Sequence, residues 1–91
     1  MFKNPTLIEK ESIPDLTFKN KISVEQSPQL FQNLANAASL GNIHHRKVTI
    51  IFEDDESVKQ VNTTIWCTGQ DYICLKGGVW IPISRIHDVI I

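Results

Sequence analysis

Cysteine, methionine, charge of one sign and long apolar runs are all scarce in this 91-residue chain. Nine Lys and Arg against ten Asp and Glu leave a formal net charge of −1, so bulk electrostatics draw the chain neither to nucleic acid nor to an anionic membrane. Any basic footprint has to be local. No segment approaches the ~20 apolar residues of a membrane span, and the opening MFKNPTLIEKES lacks the apolar centre of a secretion signal. The expectation is a cytoplasmic protein with no membrane partner. Cys67 and Cys74 are the only cysteines, and their C-x6-C spacing matches no zinc or redox box. Two reduced thiols acting as small apolar side chains are expected, although a hairpin that set them opposite each other would bring a cross-strand disulfide within reach. Glycine-rich phosphate loops are absent as well. Ser84, His87 and Asp88 lie close in sequence, but neighbouring strand residues point to opposite faces and assemble no nucleophile, base and orienter. No cofactor is implied, and the chain is read as non-catalytic.

What is present is concentrated in the last 45 residues. KVTIIF (Lys47–Phe52) is rich in β-branched and aromatic residues, with Val48, Ile50 and Phe52 on one face at period two. EDDES then suits a tight reversal. The run from Val58 to Cys67 puts Val61, Thr63, Ile65 and Cys67 on one face. Val58 falls out of phase with them, which predicts a bulge or a late start near Lys59. TGQD makes the next turn, YICLK the next strand, and Gly77-Gly78 a hairpin signal before VWI. Pro82 stops the ladder, Pro82 to Arg85 has the length of one tight helical turn, and IHDVII closes the chain. Five short antiparallel strands at this spacing predict a mainly β fold, a small closed barrel, with no room for a crossover helix.

Upstream, Ser27-Pro28 supplies a hydroxyl cap and a first-turn proline. Leu30, Phe31, Leu34, Ala37 and Ala38 recur at helical spacing, and Gly41-Asn42 reads as a stop. The pattern predicts one helix from about residue 28 to 40, capping the barrel. Residues 1–26 read as a partly extended arm, with LTF and ISV lying on an edge or across the barrel and residues 27–91 forming the helix-capped domain. A 45-residue barrel alone would be marginal, so the arm or helix is expected to pack on it.

Several surfaces could act. If Val61, Ile65, Ile73, Leu75, Val79 and Ile81 face inward, then Trp66, Tyr72, Cys74 and Trp80 face outward side by side. That is either a binding surface or, as a small core requires, a patch covered by the helix or the arm. Glu53, Asp54, Asp55 and Glu56 read as a solvated hairpin tip that could meet a basic partner protein. Arg46, Lys47, Lys76 and Arg85, beside His44 and His45, could form a local basic patch for RNA, with Tyr72 or Trp80 stacking. Adjacent His44 and His45 point apart, so with His87 they are read as hydrogen-bonded or solvated rather than as metal ligands.

The helix LFQNLANAA, the strand VTIIFEDDE, the hairpin DYICLKGGVWIPI and the closing RIHDVI together resemble the Sm-like small barrels, and among them the bacterial Rho-binding antiterminator type. The resemblance covers residues 28–91. It implies a regulator that binds a hexameric termination helicase and blocks its RNA site without catalysis, with Glu53, Asp54, Asp55 and the helix as contacts. The chain departs from that pattern in its 26-residue arm and its paired outer tryptophans. The reading is thus a non-catalytic protein-interaction module. RNA binding through the basic residues is the alternative, and the apolar end Val89-Ile90-Ile91 leaves self-association open.

Overall fold

The computed structural model describes residues 4–91. In chain order it contains β1 (Thr6–Leu7), a 3-10 turn (Lys10–Asp15), α1 (Leu30–His44), β2 (Val48–Glu53), β3 (Val58–Thr63), β4 (Ile65–Thr68), β5 (Tyr72–Leu75), β6 (Val79–Pro82), a second 3-10 turn (Ile83–Arg85) and β7 (Ile86–Ile90).

Hydrogen bonding divides these strands into two sheets, β1-β3-β2-β7 and β4-β5-β6. The described residues therefore form a small mainly β domain of seven strands and one α-helix, not the closed five-stranded barrel predicted from the spacing. The division has a local cause at Thr64. Thr63, Thr64 and Ile65 are all buried, which breaks the alternation of a single strand. The Thr64 carbonyl accepts from Lys76 N–H at 3.0 Å, and the run expected as one strand changes sheet there. Pro82 ends β6 as expected, and the following 3-10 turn returns β7 to the first sheet, beside β2.

Inside β3 the expected irregularity near Lys59 does not occur. Val58 pairs with Glu53 and Lys59 with Phe52 in unbroken antiparallel register. Lys59 simply takes the inward place two residues before Val61, and is itself buried. The bulges lie elsewhere, between Ile51 and Phe52 against β7 and between Ile65 and Cys67 against β5.

The helix is longer than predicted at its C-terminal end and starts two residues later. Ser27 still serves the start, with its hydroxyl accepting from Gln29 N–H and its carbonyl from Leu30 N–H. Gly41 does not stop the helix. His45 does so, at φ 53°, and its N–H donates back to the Gly41 carbonyl, the left-handed termination that glycine more often supplies. Leu30, Leu34 and Ala37 face the core, whereas Phe31, assigned to the same stripe by its spacing, is 67% exposed. The helix packs on β4 of one sheet and β7 of the other, and so lies across the junction between them.

The N-terminal segment belongs to this fold. Thr6–Leu7 pairs parallel with Lys59–Gln60, so the edge strand is TL rather than the LTF or ISV favoured by composition. Ile13 is buried, and Ile8, Leu16 and Phe18 pack against the same core. Gln26 Nε2 then donates to the carbonyls of Ile83 and Ile86.

Candidate functional site

The second sheet presents the site. In antiparallel pairs, directly opposed residues share a face. Ile73 opposite Ile81 and Leu75 opposite Val79 lie on the core side. The other side carries Cys67 opposite Cys74, Cys74 opposite Trp80, and Tyr72 opposite Pro82. Trp66 joins this set because the bulge before Cys67 makes two residues of β4 oppose one of β5. Sequence periodicity had put Cys67 inside with Ile65. The bulge turns it outward, and Cys67 is exposed. The described residues leave the aromatic rings about half-exposed. Trp66 is 44%, Tyr72 49% and Trp80 53% exposed, so neither the helix nor the N-terminal segment buries them as the economy of a small core suggested.

Next to Tyr72 the face runs into an open cleft of about 350 Å³ that Phe31, Gln70, Asp71 and Ser84 also line. A second cleft of about 560 Å³ shares Tyr72, Pro82 and Ser84 and extends to Phe18 and Lys21. The exposed Phe31 thus adds a fourth aromatic ring near the face, which helical spacing alone had assigned to the core.

The acidic turn is built inward, contrary to the expected solvated tip. Asp54 is 1% exposed. Both its oxygens accept from Lys59 Nζ at 2.9 Å, and Oδ1 also accepts from the N–H groups of Glu56 and Ser57. Asp55 accepts from Arg85 at 2.8 Å and from the Lys19 and Asn20 N–H groups. Glu53 Oε1 lies 3.1 Å from His87 Nε2, whose other ring nitrogen meets the Glu25 carbonyl. Three of the four acids therefore hold β3, β7 and the N-terminal segment together.

These bonds shift the carboxyls. Arg85, then the Lys19 and Asn20 amides and the Thr17 hydroxyl, pull Asp55 from 3.8 to about 2 against a partial desolvation cost. Asp54 is also held below its ordinary value, with burial pushing it up but the Ser57, Lys59 and Glu56 hydrogen bonds prevailing. A carboxyl whose folded value is depressed adds stability above its unfolded value, and that stability is lost as the pH falls through the folded one. Stability should accordingly fall between about pH 4 and about pH 2. Asp55→Asn should flatten this acid limb and lower stability at neutral pH. Urea unfolding followed across that pH range measures both.

The predicted basic patch comes apart. Arg85 is 4% exposed, with its guanidinium bonded to Asp55 and to the carbonyls of Glu53 and Asn20 and lying 5.7 Å from the Phe18 ring centroid. Lys47 and Lys76 line one cleft of about 200 Å³ together with Lys10, Glu9 and Glu11. Lys10 was not singled out in the sequence. Arg46 is exposed just beyond the helix. Among the described residues no group of three or more His, Cys, Asp and Glu is placed to hold a metal ion, and no helix is long and apolar enough to cross a membrane.

Fold and site together define a small mainly β domain with a half-exposed aromatic sheet face. No family model, curated protein or solved structure matches the chain.

Proposed function

We propose that this chain is a non-catalytic protein-interaction module that regulates another protein by docking through the outer face of β4-β5-β6. The observation that carries this reading is the exposure of Trp66, Tyr72 and Trp80 on one sheet face. Two tryptophans left in water by so small a domain are costly unless something covers them, and Trp and Tyr dominate interface hot spots. Glu53, Asp54 and Asp55 have their carboxylates engaged within the chain, so they stiffen the scaffold and leave contact to the aromatic rings. The Sm-like relationship belongs to the same proposal. A helix followed by antiparallel strands, with a 3-10 turn before the last, supports it, since β3 and β4 can be counted as one strand bent at Thr64.

The reading is tested by comparing partners retained by the wild-type chain with those retained by Trp66→Ser, Trp80→Ser and the double variant. Each hot-spot loss should weaken a purified complex by roughly 30-fold, and because the side chains are about half-buried the comparison is made at a temperature where circular dichroism shows every variant folded. Partners bound equally by all four proteins would remove the aromatic face from the proposal. The lining of one cleft by Lys10, Lys47 and Lys76 supports RNA as a second reading. Under that reading, affinity for a single-stranded oligonucleotide should fall steeply with salt and should drop in Lys47→Gln and Lys76→Gln variants. Self-association through the end of β7, where Ile90 and the following Ile91 are exposed, is read by light scattering.

A further inference from the structure

Cys67 and Cys74 occupy one cross-strand position in the middle of the aromatic face. Directly opposed antiparallel residues have Cα atoms about 4.5–5.5 Å apart, inside the ~4.4–6.8 Å span that a disulfide bridges. The bulge between Ile65 and Cys67 interrupts the ladder at this point, where β4 bends and twists more strongly. The two thiols differ in access. Cys67 is exposed, whereas Cys74 is buried and its sulfur donates to the Leu75 carbonyl at 3.6 Å. Burial, then the charge and hydrogen bond of neighbouring Cys67, pushes the Cys74 thiol up.

We infer that Cys67 and Cys74 form a thiol–disulfide exchange site that takes low-molecular-weight disulfides as its oxidant, with Cys67 the attacking thiol and Cys74 the resolving one. The Cys67 thiolate attacks one sulfur of the small disulfide, forming a mixed disulfide and expelling the first small thiolate. Cys74 then gives up its proton and attacks Cys67 Sγ, closing the cross-strand bond and expelling the second small thiolate. The chain loses two electrons and two protons, and one disulfide becomes two thiols. The bond lies beside Trp66 and opposite Trp80 and locks β4 to β5 at the bulge, which holds the exposed rings in one arrangement. That last consequence rests on the docking reading above, whereas the exchange chemistry is independent of it.

Intact-mass spectrometry of the full chain, incubated with glutathione disulfide at low protein concentration, tests the site without any partner. The expected product is a monomer lighter by two hydrogens, restored by a dithiol reductant, with peptide mapping linking Cys67 to Cys74. Cys74→Ser should stop at the intermediate and carry one glutathione on Cys67. Cys67→Ser should remain largely unmodified because its remaining thiol is buried. A wild-type chain that keeps a stable glutathione adduct, forms only chain-to-chain disulfides or does not react would overturn the inference. So would faster modification of Cys67→Ser than of Cys74→Ser.

Discussion

Asp54→Ala should lower the unfolding free energy by about 3–5 kcal/mol, the cost of stranding one partner of a buried ion pair. In a domain of this size that is a fall of roughly 15 °C or more in melting temperature. The loss has two parts that substitutions separate. Asp54 neutralises Lys59, whose Nζ lies 2.9 Å from both its oxygens and whose side chain is 10% exposed. It also caps the turn by accepting the Glu56 and Ser57 N–H groups. Asp54→Asn keeps an acceptor for those amides while leaving the Lys59 ammonium uncompensated, so most of the loss should persist. Adding Lys59→Met to Asp54→Asn removes the stranded charge and fills its place with an apolar chain, and should restore most of the stability. Asp54→Ala/Lys59→Met should stay about 1–2 kcal/mol lower, because the two turn amides then lack their acceptor. Equal stability for these two double variants would show that the capping bonds contribute nothing.

The same turn marks the boundary of what the sequence reveals. Val48, Ile50 and Phe52 alternate cleanly, and the structure buries all three, because period-two patterning is a local property that any half-buried strand must satisfy. Gly77 and Gly78 turn with φ of 92° and 82°, as a tight hairpin with glycine at its tip requires. EDDES reads locally as a solvated tip, and only long-range partners overturn this. Arg85 reaches Asp55 across 30 residues and His87 reaches Glu53 across 34. Cys67 failed for a different reason. A single bulge inverts the facing of every residue after it, and nothing in IWCT announces one. Exposure of Trp66, Tyr72 and Trp80 was the open question on the functional side, since their shared face follows from alternation while their cover depends on where the arm runs. The arm runs past β3, β6 and the acidic turn and still leaves these rings half-exposed. The half-exposed aromatic face is therefore a tertiary result, reached from residues whose grouping was legible in advance.

Gly41→Ala is the second large effect expected, and its sign is informative. In an exposed helix this substitution stabilises by about 1 kcal/mol, because alanine loses less backbone freedom on folding. A glycine acting as a stop signal would give a small change in either direction. Here the helix continues through Gly41, and a Cβ at this position would lie 2.2 Å from the Ile65 carbonyl oxygen, 2.9 Å from Thr64 Cγ2 and 3.2 Å from the Ile65 carbonyl carbon. Two of those atoms are backbone at the point where the chain passes from one sheet to the other, so no rotamer change relieves the contact. The helix has to retreat from β4, and Leu34 and Ala37 on the same face must move with it. Overpacking of this kind costs about 3 kcal/mol or somewhat more, which overrides the propensity gain. Asn42→Ala, one residue on and exposed, is the matched control and should gain a few tenths of a kcal/mol. Thermal unfolding of the two variants should therefore shift in opposite directions. A stabilised Gly41→Ala would mean that the helix does not approach Ile65 closely, and that the junction between the sheets is not held by this contact.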